Sequence, residues 1–245
     1  MSKYYYDLHI HSCLSPCGDD DNTPNNIAGM AKLNGLDIVA LTDHNSTKNC
    51  PAFFEAAKRY GIIPIAGMEL TTSEDIHVVC LFESLSDAKA FDDMLQSHRT
   101  LVKNKVEIFG KQSILDGEDN EIGQEEYYLP IATDISYDNI KDYVEDHDGV
   151  CFPAHIDRSS NGVIEVLGTL PEKPDFKCVE FNLSENVGEY TEKYGLSDKI
   201  ILVNSDAHYL SMMRDKENYI ELPDGITSDE EAIFYLFKYL RGEQY

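Results

Sequence analysis

Positive charge is scarce in this chain. Twenty lysines and arginines stand against 45 aspartates and glutamates, giving a formal net charge of −25 over 245 residues. A field of that sign repels nucleic-acid backbones and anionic membranes, and it slows any anionic ligand unless bound cations reverse it locally. Long apolar runs are missing as well. None approaches the ~18 residues that would span a bilayer, and the first residues carry no apolar leader core. The six cysteines, Cys13, Cys17, Cys50, Cys80, Cys151 and Cys178, include no CxxC pair and no dense spacing, which excludes a disulfide scaffold. Cys80, Cys151 and Cys178 lie in apolar runs, where a thiol behaves as a small hydrophobe. These absences predict a reduced, cytoplasmic protein with no membrane partner and no long nucleic acid as substrate. Low-complexity tracts and internal repeats are also lacking. The 42% hydrophobic composition suits one domain over residues 1–245.

What is present is a rhythm. Tyr4–His11, Asp37–Thr42, Ile62–Leu70, Ile76–Phe82, Val150–His155, Phe176–Asn182 and Lys199–Asn204 read as strands. Some are apolar throughout, as expected of parallel strands covered on both faces. Helical patterns fall between them. Thr23 and Pro24 make the N-cap and first position of one that Asn34-Gly35 closes. Others span Pro51–Tyr60, Ser86 to about Lys103, Asp138–His147, Val163–Leu167 and Glu185–Tyr194, and the last opens on a capping box of Ser228 and Glu231. Residues 104–135, punctuated by Gly110, Gly117 and Gly123, break the rhythm. They are expected to form an insertion or excursion with short strands, serving as a lid or as a contact to a second subunit. Strand, loop and helix repeated six or seven times predict an α/β fold of parallel βα units, closed as a barrel or left open. Chemistry in such folds collects at the C-terminal ends of the strands.

The histidines and carboxylates follow that geometry. His9 and His11 end the first strand, His44 the second and Glu69 the third. His155 ends a later strand, Asp206 and His208 end the last, and His77 lies in the strand after Glu69. His98 and His147 fall on helices and are assigned to structure or surface. Residues two apart in extended chain share a face, so His9 with His11, and Asp206 with His208, can each reach one ion. Taken singly, His44, His77 and His155 read more readily as packed or hydrogen-bonded imidazoles, and Glu69 could be a buried carboxylate paired to a lysine; their company favours ligation. Imidazole with carboxylate and no thiolate pair suits Zn²⁺, Mn²⁺ or Fe²⁺ rather than an iron–sulfur cluster or Ca²⁺. This many donors exceeds the needs of one ion and implies two or three divalent ions with a bridging carboxylate. Ions ~3.5–4 Å apart that share a hydroxide typify hydrolysis, often at phosphorus.

Asp7-Leu8-His9-Ile10-His11-Ser12, Thr42-Asp43-His44-Asn45, Gly67-Met68-Glu69, Ile76-His77-Val78, Pro153-Ala154-His155 and Ser205-Asp206-Ala207-His208, in this order, resemble the motifs of the polymerase and histidinol phosphatase (PHP) family. The resemblance runs from Tyr4 to about His208. It implies a distorted (β/α)7 barrel with a trinuclear metal site at the C-terminal ends of the strands, and metal-dependent phosphoesterase activity. Carried over by motif, His9, His11, Glu69 and Asp206 would hold a first ion. Glu69 would bridge to a second held by His77 and His155, and His44 with His208 would hold a third. Asp7 and Asp43 would orient imidazoles. One place departs from the family. Where it has Asp-Gly or a histidine after the second histidine, this chain has Pro16-Cys17-Gly18 followed by Asp19, Asp20 and Asp21. Cys17 aligns best with that ligand; otherwise one of the aspartates reaches in, or the third site is weak. Arg158, three positions past His155, is expected to meet a substrate phosphate, or else to pair with Asp157 or another carboxylate. Glu180 and Asn182 share a face at a strand end, either behind the ligands or as ordinary polar residues. The expected reaction is hydrolysis of a small phosphate ester by metal-bound hydroxide, the substrate being histidinol phosphate-like, a nucleotide phosphate or a short oligonucleotide end. The alternatives are hydrolysis of a C–N or carboxylic ester bond, as in barrel amidohydrolases, and a non-catalytic metal-binding regulatory domain.

Overall fold

The computed structural model describes residues 1–245. In chain order its elements are β1 (Ser2–Asp7), α1 (Pro24–Asn34), β2 (Ile38–Leu41), α2 (Cys50–Tyr60), β3 (Ile63–Thr71), β4 (His77–Phe82), α3 (Leu85–Leu95), α4 (Val106–Phe109), β5 (Ser113–Leu115) and β6 (Glu121–Gln124). The second half adds α5 (Ile140–Glu145), β7 (Gly149–Pro153), α6 (Val163–Leu167), β8 (Cys178–Phe181), α7 (Val187–Tyr194), β9 (Ile200–Val203), β10 (Tyr219–Leu222) and α8 (Asp229–Leu240). No helix is long and apolar enough to cross a membrane.

The result is a mixed α/β fold around a curled sheet ordered β10-β1-β2-β3-β4-β7. β1, β2 and β3 run parallel. β8 and β9 form a separate parallel pair. The Ile156 N–H, just past β7, donates to the Glu180 carbonyl of β8 at 2.9 Å. A parallel bridge joins Ile10, past β1, to Ala207, past β9. The sheet therefore departs from a uniform ring of parallel βα units in two places. β4 runs antiparallel to both β3 and β7, because the short link Thr72–Ile76 cannot hold the crossover helix that a parallel strand requires. β10, a four-residue strand, adds antiparallel to β1.

Local chemistry sets the helix ends. The Thr23 hydroxyl accepts from the Asn26 N–H at 3.2 Å, Pro24 opens α1, and Gly35 closes it in the left-handed conformation, where a Cβ would be penalised. α3 is capped by Ser84, whose hydroxyl accepts from the Asp87 N–H. Ser86 lies inside the first turn, and the helix stops at Leu95 rather than near Lys103. At α8 the Ser228 hydroxyl accepts from the Glu231 N–H, while the Glu231 carboxylate accepts from Thr227 rather than from Ser228.

Strand alternation sorts the apolar side chains into two cores. Val39, Leu41, Ala66, Met68, Val78, Cys80, Cys151 and Phe181 pack on the helical layer. Ile38, Ala40, Ile65, Val79, Leu81, Phe152, Cys178 and Leu202 point the other way and meet Leu236, Phe237 and Leu240 of α8. Each of these fully buried α8 side chains is worth about 1.5–3 kcal/mol of apolar burial, so α8 acts as a stopper for the inner face. Residues 104–135 carry α4, β5 and β6 and are clamped against the N-terminal ends of α1 and α2. Asp119 accepts from the Thr23 hydroxyl at 2.6 Å, Asn49 donates to the Ser113 carbonyl at 3.1 Å, and Glu125, almost fully buried, pairs with Lys48 and Arg99.

Candidate metal centre

The donors converge at one rim of the curled sheet. β1 and β2 deliver His9, His11 and His44 just beyond their ends, and His44 bridges to Glu69 near the end of β3. Because β4 is antiparallel, its first residue, His77, faces Thr71 at the end of β3 and so reaches the same rim. His155 follows β7, and Asp206 and His208 follow β9. Three of the turns that aim these residues are left-handed at non-glycine positions: Asn45 (φ 46°), His155 (φ 27°) and Asp206 (φ 50°). Strain of this kind costs about 1–3 kcal/mol per residue and persists where surrounding contacts impose it.

Glu69 is the hub and is 1% exposed. Its Oε1 lies 2.8 Å from His77 Nδ1, 3.1 Å from His155 Nε2 and 3.4 Å from His9 Nε2. Its Oε2 lies 3.0 Å from His44 Nδ1 and 3.4 Å from His11 Nε2. Asp206 Oδ1 is 3.1 Å from His11 Nε2 and 3.4 Å from His9 Nε2, and the guanidinium of Arg158 pairs with Oδ2. Three overlapping groups of donors could each hold an ion: His9, His11, Glu69 and Asp206; His44, Glu69 and His77; and His11, His44 and His208. The chemistry of the set fits divalent cations. His9 Nε2 and His11 Nε2 face each other at 3.2 Å. His44 Nδ1 and His155 Nδ1 are buried without a hydrogen-bond partner, although His44 Nδ1 lies so close to Glu69. Buried polar atoms are rarely left in that condition.

Electrostatics point the same way. Burial opposes a charged ring at His9, but Glu180, Glu69 and Asp206 outweigh it and raise its pKa well above the usual histidine value. At His11 and His44 burial is likewise overcome, by Asp206 and Glu69 at the first and by Glu69 and Cys17 at the second, so that each is held at about 9. Burial would raise Glu69, yet His77, His9 and His44 hold it well below the carboxylate range. Burial and the neighbouring His11 push His208 down to about 3. Without metal, protons on some imidazoles balance two buried carboxylates, which is the charge that bound cations would replace.

The supporting residues differ from expectation. Asp7 accepts from the backbone N–H groups of Ser205 (3.0 Å) and Arg214 (3.1 Å) and touches no imidazole. Asp43 accepts from the Ser12 N–H, the Ser12 hydroxyl and the Ser15 hydroxyl. It reaches the histidines only through Ser15, whose Oγ lies 3.1 Å from His11 Nδ1 and accepts from the His44 N–H. The residue directly behind a ligand is Glu180. Its carboxylate lies 2.9 Å from His9 Nδ1 and accepts from the His155 N–H and from the Asn204 side chain. Asn182 does not join it, donating instead to the Ser205 carbonyl. A strand buried on both faces carried the clue: Cys178 points into the inner core, so Glu180, two residues on, must point inward as well.

A pocket of about 160 Å³ opens over the donors and is lined by Cys17, His44, Glu69, His77, His155, Arg158, Ser160, Asn161, Asp206 and His208. Cys17 thus borders the site beside His44, whereas Asp19, Asp20 and Asp21 do not line it. Asp19 instead accepts from the Asp21 N–H within its own loop. Arg158 pairs with Asp206, while Asp157 accepts from Asn182, Leu183 and Asn186. His98 and His147 lie outside the cluster, beside Asp134 and the Tyr143 carbonyl.

Residues 7–160 match the family described as PHP domain. Over 87 residues the chain is 37% identical to a PolC-type DNA polymerase III of Thermotoga maritima, covering 36% of this chain and 6% of the polymerase. Over 110 residues it is 34% identical to a 5'-3' exoribonuclease of Haemophilus influenzae, covering 43% of this chain and 39% of that protein. Among solved structures, the lesion-specific endonuclease PfuEndoQ of Pyrococcus furiosus superposes with a TM-score of 0.65 at 17% identity, covering 98% of this chain and 56% of the endonuclease. The chain thus spans well under two thirds of each of these relatives.

Proposed function

The chain belongs to the PHP domain family of metal-dependent hydrolases, and from that premise we propose that it hydrolyses phosphate esters, with a nucleotide phosphate or the end of a short oligonucleotide as substrate. The observation that carries this reading is Glu69, one buried carboxylate with five imidazole nitrogens within 3.4 Å. A structural carboxylate needs no such shell, whereas a bridging ligand does. His9, His11, Glu69 and Asp206 would hold one ion, Glu69 with His77 and His155 a second, and His44 with His208, beside Cys17, a third. When bound, divalent ions supply positive charge for phosphoryl oxygens and acidify water so that it can act as the nucleophile.

The chain's own groups do the rest. Glu180 fixes the ring of His9 by holding Nδ1, leaving Nε2 toward the site. Ser15, itself held by Asp43, does the same for His11 from Nδ1. Arg158 is the one lysine or arginine lining the pocket, and its planar fork suits two phosphoryl oxygens at once. No lysine borders the pocket, so a carboxylated-lysine bridge of the amidohydrolase kind has no residue here. The names of the polymerase, exoribonuclease and endonuclease relatives favour nucleotide over other esters, and the −25 net charge favours short substrates over long duplexes.

The test is phosphate release from a panel of sugar phosphates, histidinol phosphate, nucleoside monophosphates and 5'-phosphorylated oligonucleotides, with added Mn²⁺ or Zn²⁺. Metal-dependent turnover that disappears in His9→Ala is the expected result. A metal-loaded protein that releases phosphate from none of them would sink the reading.

A further inference from the structure

Residues 104–135 bring two aromatic rings beside the loop whose Cys17 borders the metal pocket. Phe109 and Tyr128 stack with ring centroids 4.4 Å apart at 35°. Phe109 is 41% exposed although large and apolar. Their position is fixed from both sides. The side chain of Asn45, the residue after His44, donates to the Leu129 and Ile131 carbonyls at 2.7 and 3.0 Å, so the chain that carries Tyr128 is pinned directly beside a donor histidine. On the other side, Gly110 comes so near the Cys17 loop that a Cβ there would stand 3.3 Å from the Pro16 carbonyl oxygen. The Tyr128 N–H donates to the Val102 carbonyl (2.8 Å) and the Asn104 N–H to the Glu126 carbonyl (2.9 Å). These bonds make a short ribbon that holds α4 and Phe109 over the loop. Tyr128 also senses Cys17: burial first, then the nearby thiol, raises its phenol pKa.

We infer that Phe109 and Tyr128 form a stacking ledge for the nucleobase of a nucleotide or oligonucleotide end whose phosphate lies in the metal pocket. The ledge rests on the phosphoesterase reading above and adds to it the part of the substrate that is recognised. Its geometry suits that occupant. The rings lie beside the Cys17 loop rather than among the residues that line the pocket, so a ligand whose phosphate sits among the donors would extend past Cys17 to place a planar group on them. A base offers a neutral face, which a chain of charge −25 does not repel. Stacking on an aromatic side chain is sequence-tolerant and worth about tenfold or more in affinity per base. Phe109 is 41% exposed and has no partner other than Tyr128 among the aromatic pairs.

The test uses ligands that cannot turn over. Calorimetry on the metal-loaded protein would compare a nucleoside 5'-phosphonate, with methylene in place of the ester oxygen, against the matching ribose phosphonate, which lacks the base. The wild type should bind the nucleoside compound about tenfold tighter. Phe109→Ala should erase the difference while leaving ribose phosphonate binding unchanged, and Phe109→Tyr should retain it. A pentanucleotide carrying the same 5'-methylenephosphonate, used as competitor, assigns the base to a chain end if it matches or exceeds the mononucleotide, and to a free nucleotide if it competes more weakly. Equal affinity for both phosphonates in the wild type, or a difference that survives in Phe109→Ala, overturns the ledge. Absence of turnover on every phosphate ester with the binding difference intact would instead overturn the phosphoesterase reading and leave the ledge standing.

Discussion

Glu180 shows how much of a metal site lies one bond behind the ligands. It is fully buried, and its two oxygens serve His9 Nδ1, the His155 N–H and the Asn204 amide together. A neutral Glu180→Gln side chain keeps one acceptor head and turns the other into a donor, set either against the Asn204 amide or against His9 and the His155 N–H, so the support behind His9 is weakened. Groups of this kind typically contribute 10- to 100-fold in metal affinity, on the order of the values seen for residues behind metal-bound histidines. Chelator competition should show such a loss in Glu180→Gln, with a folded far-ultraviolet spectrum; unchanged affinity would make Glu180 a packing residue. Proton linkage gives a second prediction. His11 and His44 stand at about 9 without metal, above their unfolded value of about 6.5. Their ion pairs with Glu69 and Asp206 therefore stabilise the metal-free protein fully below about pH 6.5, and that stabilisation is lost as pH rises through about 9. Metal must displace the same protons. Melting of the metal-free protein should fall between pH 7 and pH 9, and metal uptake at pH 7 should release protons into buffer. A flat melting profile with no proton release would contradict both statements.

Glycine at position 67 illustrates what β3 needs in order to present Glu69. A Cβ on Gly67 would lie 2.6 Å from the Cys80 carbonyl oxygen and 2.8 Å from Leu81 Cδ2; the leucine methyl can shift, but the carbonyl cannot retreat without opening the β3–β4 ladder. Gly67→Ala should cost about 1–3 kcal/mol in urea unfolding and lower metal content, because Glu69 is two residues along the same strand. Gly188→Ala, in α7 with nothing within 4 Å, is the control and should be neutral or gain about 0.5–1 kcal/mol. Equal effects at the two positions would refute the close-approach argument. The same strands show why some features could be read in advance. The His-x-His pair was legible because residues two apart in extended chain share a face. Asp206 and His208 instead reach the rim through a left-handed turn at Asp206 (φ 50°) and fall in different donor groups, so the extended-chain argument did not hold for them. Thr23, Pro24 and Gly35 were legible because capping is local. The direction of β4 was not, since an apolar strand looks alike in either sense; only the short Thr72–Ile76 link betrays it. β10 is four residues with two buried positions, too brief for a periodic signal, and it exists because β1 offers it an edge. Asp43 was assigned to imidazoles by the family resemblance of its motif, but its side chain accepts from Ser12 and Ser15 instead. Glu180 was left undecided because a strand-end carboxylate carries no mark of its partner.

The charge of the chain and the charge of its site oppose each other, and salt separates them. Forty-five carboxylates against twenty cations surround a pocket whose lining holds one guanidinium. An anionic substrate must cross the repulsive envelope before it meets bound cations. Screening shortens from about 30 Å at 0.01 M salt to about 10 Å at 0.1 M. The envelope acts over the longer distance, while metal and Arg158 act at contact, so added salt removes more of the repulsion than of the attraction. For a mononucleotide at saturating metal, kcat/KM should therefore rise severalfold over that range, and KM should carry the change. A long duplex bound through its backbone would behave in the opposite sense, since displaced counterions make its affinity fall steeply with salt. Initial rates across a NaCl series, with a mononucleotide and a long duplex in parallel, thus test the charge argument and the size of the substrate together. A rate constant that falls with salt for the mononucleotide would mean that the cation field at the pocket extends beyond the acidic envelope, and the envelope could then no longer be used to argue against long nucleic acid.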